Sequence, residues 1–214
     1  MSALALPIEM LNISMNVQRP ANRVGMTERT PQNRAPGLEA ITAILHITGE
    51  SIHLRPVCSD DAEETANLMT EDVARQLISW KYPMSPDAAR TRIQVADVEL
   101  KRLSSVNLAI LEAGSERLMG WVGFERTGIG ACRVGYWIGS RFQRQGFMVE
   151  SLDIACPPVT RLLKTPLVRA LVSLGNYPSI TVLKQCGFSC DPTIDIPAFE
   201  SLKGELLQYS ALYT

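Results

Sequence analysis

Three strand-like runs in the middle of the chain constrain its fold more than any other feature. They cover residues 105–113, 117–127 and 131–139, and each contains several β-branched or aromatic residues. The breaks between them are short and hold Gly114-Ser115 and Gly128-Ile129-Gly130. Such short turns join antiparallel strands, whereas parallel strands need a crossover of about a dozen residues or more. The sequence therefore predicts an antiparallel meander.

Further strands and helices are predicted on both sides of this meander. Upstream, residues 51–56 alternate like a strand, and Ser85 followed by Pro86 is typical of a helix start. Downstream we predict a helix from about Gln145, a strand at 167–173, a helix at 177–186, and strands around 188–195 and 205–213. This order indicates an α/β fold (α+β layered) with a mixed, mostly antiparallel sheet flanked by helices.

The first part of the chain differs in composition from the rest. Residues 12–37 are rich in proline, glycine, asparagine and arginine and show almost no apolar periodicity. We therefore predict an N-terminal extension over residues 1–48, partly irregular, followed by one domain over residues 49–214.

Charge and cysteine content exclude several classes of protein. The formal net charge is −1, from 21 basic and 22 acidic residues, so no basic field would attract nucleic acid or an anionic membrane. No run is apolar enough to span a membrane, and the N-terminus lacks the basic start of a signal peptide. The five cysteines form no C-x-x-C pair, which predicts neither a metal site nor a disulfide framework. We expect a reduced, cytoplasmic protein.

The segment that follows the third meander strand contains the largest cluster of candidate binding residues. The strand ends at Gly139, and residues 140–146 lead directly into a predicted helix. The first amides of a helix have no partner within it and lie at the positive end of its dipole, a geometry that binds phosphate groups. Gly146 would allow close approach of the backbone, and Arg141 and Arg144 would add positive charge. On these residues alone, a surface loop with two solvated arginines is an equal alternative.

This loop also resembles a family signature. Residues 143–148, Gln-Arg-Gln-Gly-Phe-Met, look like the Q/R-x-x-G-x-G/A motif with which GNAT enzymes bind the pyrophosphate of acetyl-CoA. Asn176-Tyr-Pro-Ser179, followed by Gly187-Phe188, is similar to the family's N-x-x-S…G-F segment. Residues 52–56 resemble the opening of the RimJ/RimL branch, which acetylates ribosomal proteins. By resemblance, the chain is identified as a member of the GNAT superfamily of N-acetyltransferases, with the GNAT acyltransferase fold.

The resemblance implies acetyl-CoA as the co-substrate, no metal, and a set of site residues. The cofactor-binding residues would be Trp137 and Ile138, through their backbone, together with Arg141, Gln143, Arg144, Gln145, Gly146, Phe147, Met148 and Asn176. Ser179 matches the serine to which the acid role is assigned. Glu200 matches the glutamate that serves as base, usually through a water molecule, and Asp195 is the alternative base.

Three features of the sequence depart from the family pattern. Met148 stands where the family has glycine or alanine, so a long side chain there could crowd the pyrophosphate, and Arg144 stands where glycine is common. Pro157-Pro158 lies inside the predicted cofactor helix, and an interior proline costs roughly 3 kcal/mol or more. We therefore predict that this helix stops near Ala155 and resumes, if at all, around Val159.

The resemblance leaves three hypotheses of function. The first is an N-acetyltransferase that transfers the acetyl group of acetyl-CoA directly to a primary amine, either a protein N-terminus or a small-molecule amine. The second is a catalytically degenerate GNAT-fold protein that binds acyl-CoA or another partner, which the departures at Met148 and Pro157 motivate. The third is an acyltransferase with another acyl donor or a hydroxyl acceptor. No nucleic-acid or membrane partner is expected, and homodimerisation is left open.

Overall fold

One mixed sheet of eight strands forms the centre of the computed structural model, which describes residues 37–191 and 206–213. The strands are β1 Ile47–Thr48, β2 Ile52–Pro56, β3 Ser105–Glu112, β4 Leu118–Gly128, β5 Ala131–Ile138, β6 Leu167–Ser173, β7 Ser189–Asp191 and β8 Leu206–Leu212. Their order across the sheet is β1-β2-β3-β4-β5-β6-β8-β7. Neighbours are antiparallel except β5 and β6, which are parallel. The predicted mixed, mostly antiparallel sheet is confirmed.

Helices cover both faces of this sheet. They are α1 Leu38–Ile44, α2 Ala62–Leu68, α3 Glu71–Arg75, α4 Pro86–Lys101, α5 Phe147–Leu163 and α6 Tyr177–Gln185. The hydroxyl of Ser85 accepts a hydrogen bond from the Ala88 amide at 3.1 Å, so the predicted start of α4 is confirmed. α2 and α4 pack together on one face, whereas α5 and α6 pack on the other. Within the described ranges, no helix is both long and apolar enough to cross a membrane.

The meander pairs in sequence order, as predicted. Leu108 of β3 lies opposite Val122 of β4, and Val122 lies opposite Tyr136 of β5. β4 and β5 approach each other very closely near one end, where a Cβ atom on Gly120 would collide with the backbone carbonyl of Trp137. Only glycine permits this approach, so Gly120 fixes how β5 lies against β4.

Helix α5 shows that the predicted break at Pro157-Pro158 is wrong. The helix runs from Phe147 to Leu163 with both prolines inside it. One apolar stripe of the helix is fully buried, and its residues are Leu152, Ala155, Cys156, Val159 and Leu163. Burying a Leu or Val side chain contributes about 1.5–3 kcal/mol, so the packing of the whole stripe outweighs the local cost of the prolines. Tertiary contacts therefore keep α5 continuous.

The folded unit begins before the predicted domain boundary at residue 49. Ile41 and Leu45 are 4% and 0% exposed, and Ile47 and Thr48 pair with β2. Helix α1 and strand β1 therefore belong to the compact unit. Helix α1 has only seven residues, which is too short for its apolar periodicity to stand out in the sequence.

Two truncations test where the folded unit begins. Deletion of residues 1–36 is expected to leave the melting temperature within a few degrees, because residues 12–37 lack apolar periodicity. Deletion of residues 1–46 removes Ile41 and Leu45, and each large core side chain lost costs about 2–5 kcal/mol. The second deletion should therefore lower the melting temperature by about 10 °C or more in circular dichroism. Equal melting temperatures for the two truncations would contradict this.

Candidate active site

A gap opens in the sheet between its two parallel strands. β5 and β6 pair through Ala131–Leu167, Cys132–Val168 and Arg133–Arg169. Beyond these three pairs no pairing joins the two strands among the described residues, although β6 continues to pair with β8 as far as Ser173. We call the space between residues 134–138 and 170–173 the strand gap. Its edge on β5 carries backbone groups that another extended chain could pair with.

The N-terminus of α5 lies next to this gap. Gly146 has φ +86°, a left-handed conformation that glycine adopts without strain, and it is the residue immediately before α5. The first helical bond joins the Glu150 amide to the Gly146 carbonyl at 3.1 Å. The amides of residues 147–149 therefore precede the bonded part of the helix. They supply the positive helix end that binds phosphate groups.

Side chains of the loop hold its backbone in place. Gln143 donates a hydrogen bond to the Ile138 carbonyl at 3.2 Å, and Gln145 donates one to the Arg141 carbonyl at 3.1 Å. Arg144 is exposed and has φ +64°. These contacts leave the loop open to solvent on its outer side, where a phosphate could approach.

Arg141 points away from the strand gap. Its guanidinium forms an ion pair with Glu64 of α2 and lies 4.8 Å from the centre of the Phe142 ring. Arg117 stacks on the same ring at 5.1 Å. The charge of Arg141 is therefore directed towards α2, on the far side of the loop from α5.

Met148 directs its side chain into the core. Its side chain is 7% exposed and belongs to the hydrophobic core, whereas Gly146 at the start of the helix is exposed. This inward direction argues against the expected crowding of the pyrophosphate, which stays a prediction. A residue in the first turn of a helix can direct its side chain inward while its amide points outward, and Met148 does so.

Ser179 is held at the β5 side of α6. The Ser179 amide donates a hydrogen bond to Asn176 Oδ1 at 3.2 Å, so Asn176 caps α6. The hydroxyl of Tyr136 on β5 lies 2.8 Å from Ser179 Oγ and 3.3 Å from the Ser179 carbonyl oxygen. Sequence reasoning did not single out Tyr136, although its alternation with Trp137 on one strand requires the two side chains to point to opposite faces.

Trp137 packs on the other face of the sheet. Its ring centre lies 5.2 Å from that of Trp80 and 6.4 Å from that of Trp121. The Trp137 carbonyl faces Gly120 of β4. Since carbonyls alternate in direction along a strand, those of Tyr136 and Ile138 face the strand gap. Of the two residues predicted to bind the coenzyme through their backbone, Ile138 therefore directs its carbonyl to the strand gap, whereas Trp137 directs its carbonyl to β4.

Two thiols lie among α5, α6 and the sheet, Cys156 buried and Cys186 half-buried. Cys186 lies 3.7 Å from the Val149 carbonyl of α5. Burial raises the pKa of Cys186 to about 12, and that of Cys156 also to about 12. Both thiols stay protonated at neutral pH, and a protonated thiol is a poor nucleophile.

Residues 51–189 match a family model described as an acetyltransferase (GNAT) domain. The chain belongs to the GNAT family. GNAT proteins are acyl-CoA-dependent transferases. Glu200 and Asp195, the two predicted bases, lie outside the described residues.

Several known GNAT proteins are similar to this chain. The "probable N-acetyltransferase YjcK" of Bacillus subtilis is 27% identical over 149 residues, covering 66% of this chain and 82% of that protein. The ribosomal-protein-S5-alanine acetyltransferase of Vibrio fischeri has a TM-score of 0.66 at 17% identity, covering 78% of this chain and 96% of that one. RimJ of Mycobacterium smegmatis, solved in complex with a CoA disulfide, has a TM-score of 0.64 at 15% identity, covering 75% and 81%. The shared fold is that of these enzymes.

Substitutions at Gly146 test the phosphate site. Gly146→Asp should weaken coenzyme A binding by about tenfold or more, equal to about 1.4 kcal/mol, because a carboxylate would face the pyrophosphate. Gly146→Asn is the matched control, since asparagine tolerates a positive φ and has the same shape without the charge. Calorimetry should show a much smaller loss for the Asn variant. Unchanged affinity in a folded Asp variant would move the coenzyme site elsewhere.

Met148→Ala tests the inward direction of that side chain. Truncation of a buried methionine should lower the free energy of unfolding by about 2–5 kcal/mol, measured by urea denaturation. The dissociation constant of coenzyme A, measured below the melting transition, should stay the same. Tighter binding in this variant would show that Met148 reaches the pyrophosphate after all.

Proposed function

We propose that this GNAT protein is an N-acetyltransferase that moves the acetyl group of acetyl-CoA directly to a primary amine, on a protein N-terminus or a small molecule. One observation carries the proposal: the strand gap ends at the N-terminus of α5, with Ser179 at its side on α6. A donor with a pyrophosphate at one end and an extended, amide-containing arm fits this arrangement. That RimJ of Mycobacterium smegmatis was solved with a CoA disulfide supports the choice of donor.

The residues present suit such a donor from end to end. The pyrophosphate would accept hydrogen bonds from the amides of residues 147–149, next to the left-handed Gly146. The pantetheine arm would lie in the strand gap and pair with the backbone of Tyr136 and Ile138 as an added strand does. An amide at this edge could also stabilise the oxyanion that forms on the thioester carbonyl.

The chemistry needs two proton movements. The neutral amine forms a bond to the thioester carbon, and the C–S bond then breaks, so the nitrogen must lose a proton and the sulfur must gain one. We propose that Ser179 gives its proton to the departing thiolate and regains one from the solvent of the site. Glu200 remains the proposed base, acting on the amine through a water molecule. The net products are the acetylated amine and coenzyme A thiol.

The protonated state of two cysteine thiols favours direct transfer, without an acyl-enzyme intermediate on cysteine. Cys156 and Cys186 lie near α5 and α6, but burial keeps both thiols protonated. All five cysteines are free thiols, which is typical of a reducing compartment, and we propose that the protein works in the cytoplasm. The two sequence features that suggested a catalytically degenerate binding protein no longer favour that hypothesis, because α5 is continuous and Met148 lies in the core.

The amine is proposed to reach the thioester from the α2–α4 face of the sheet. On the opposite face, Tyr136 and α6 close off β5. On the α2–α4 face, Gly135 is exposed, and a Cβ atom placed there would meet no other atom within 4 Å. Gly123 lies opposite Gly135 on β4, but the Asn107 side chain of β3 lies over Gly123, so the sheet surface beside Trp137 forms a bare strip only at Gly135. This bare strip leaves room for an acceptor beside the strand gap.

Ser179→Ala tests the proposed function. The acceptor is first identified by free-thiol release from acetyl-CoA across a panel of amines. The variant should then lower kcat by about 10²-fold with little change in coenzyme A affinity, because the hydroxyl is needed only as charge develops on sulfur. Thr181→Ala is the matched control, since Thr181 is exposed on the same helix and bonds only locally to the Tyr177 carbonyl. No turnover by the wild type on any amine, or a normal kcat for Ser179→Ala, would contradict the proposal.

Gly135→Leu tests the direction from which the amine enters. The added side chain has space, so folding should be preserved, but it would cover the bare strip and raise the KM for the amine by about tenfold or more. The dissociation constant of acetyl-CoA should stay the same. Gly128→Leu is the control, because Gly128 is also exposed with open space around it but lies at the far end of β4. An unchanged KM for the amine in the Gly135 variant would place the entrance elsewhere.

A further inference from the structure

The hydroxyls of Tyr136 and Ser179 share a hydrogen bond in which either group can be the donor. A tyrosine hydroxyl has a single proton, and two oxygen atoms of Ser179 lie near it: Oγ at 2.8 Å and the carbonyl oxygen at 3.3 Å. Hydrogen bonds between oxygen atoms are typically about 2.7–2.8 Å long, so 2.8 Å matches a full bond and 3.3 Å is long. The 2.8 Å bond can form with the phenol donating to Ser179 Oγ or with Ser179 Oγ donating to the phenol.

The direction of this bond decides where the Ser179 proton can go. When the phenol is the donor, it occupies one lone pair of Oγ, and the serine proton points away from Tyr136. Ser179 lies in the first turn of α6, and its amide is held by Asn176. With the phenol as donor, the serine has a fixed backbone and a fixed acceptor bond, and only the rotation of its own proton remains free.

Tyr136 itself is suited to remain a donor. Burial raises the pKa of its phenol above the ordinary value, so the hydroxyl stays protonated over the whole range in which a transferase is assayed. A hydrogen bond donated to Oγ also polarises the serine O–H, because chains of hydrogen bonds strengthen each other in a low-dielectric site.

We propose that Tyr136 is a positioning residue for the transfer reaction: by donating to Ser179 Oγ, it turns the serine proton towards the sulfur of the departing coenzyme A. The proposal rests on the proposed function of Ser179 and adds a residue that does not itself contact the reacting atoms. Tyr136 loses no proton in the reaction. Its role is to keep Ser179 from turning its proton to a backbone carbonyl of α6, as serine hydroxyls in helices commonly do.

Tyr136→Phe is the variant that isolates this role. It keeps the ring and its packing and removes only the donor. It should lower kcat by about tenfold, the size of one hydrogen bond, and leave the dissociation constant of acetyl-CoA unchanged. In the presence of Ser179→Ala it should have no further effect, because Tyr136 then has no proton donor to direct. Tyr82→Phe, at a tyrosine that is 56% exposed, is the control for loss of a phenol elsewhere.

A second acyl donor distinguishes a positioning role of Tyr136 from a general structural effect of its substitution. The acetyl ester of the selenol analogue of coenzyme A has a leaving group that departs without protonation, so the Tyr136→Phe loss should disappear with this donor. A loss that persists with the selenol donor, or that adds to the loss from Ser179→Ala, would overturn the positioning role. So would a normal kcat for Tyr136→Phe in an active protein. Absence of turnover by the wild type would instead overturn the proposed function, together with the inference that rests on it.

Discussion

The parallel pairing of β5 with β6 is the constraint on which the rest of this structure depends. Two parallel neighbours cannot be joined by a tight turn, so the chain must cross over, and α5 is that crossover. Because β5 and β6 pair through only three residues on each strand, their later parts separate. The same connection therefore produces both the gap in the sheet and the helix N-terminus that lies beside it.

The two faces of β5 therefore have different surroundings. Successive side chains of a strand point to opposite faces, which directs Tyr136 to α6 and Trp137 to the tryptophans near α2. The α6 face is closed and holds the hydroxyl pair. The other face is left bare at Gly135. A donor lying in the plane of the sheet would thus meet a proton donor on one side and open space for the amine on the other.

The parts of the fold that depend on local sequence patterns could be predicted from the sequence. The meander, the start of α4 at Ser85 and the loop entering α5 near Gly146 all depend on short-range turn and cap chemistry, and all three are confirmed. The break at Pro157 was wrong because local helix preference was outweighed by a buried stripe that only the tertiary structure supplies. The inward direction of Met148 and the contact of Tyr136 with Ser179 likewise depend on how distant segments pack, 43 residues apart in the second case.

Amide hydrogen exchange with and without acetyl-CoA would test the central claim most directly, because it reports on the strand gap without an identified acceptor. Binding should slow exchange in two peptides, one covering the β5 edge at residues 134–138 and one covering residues 146–149 at the start of α5. The antiparallel pairing of β3 with β4 should show no change and serves as the internal reference. Protection confined to other parts of the chain, with these two segments unchanged, would contradict a donor site in the strand gap.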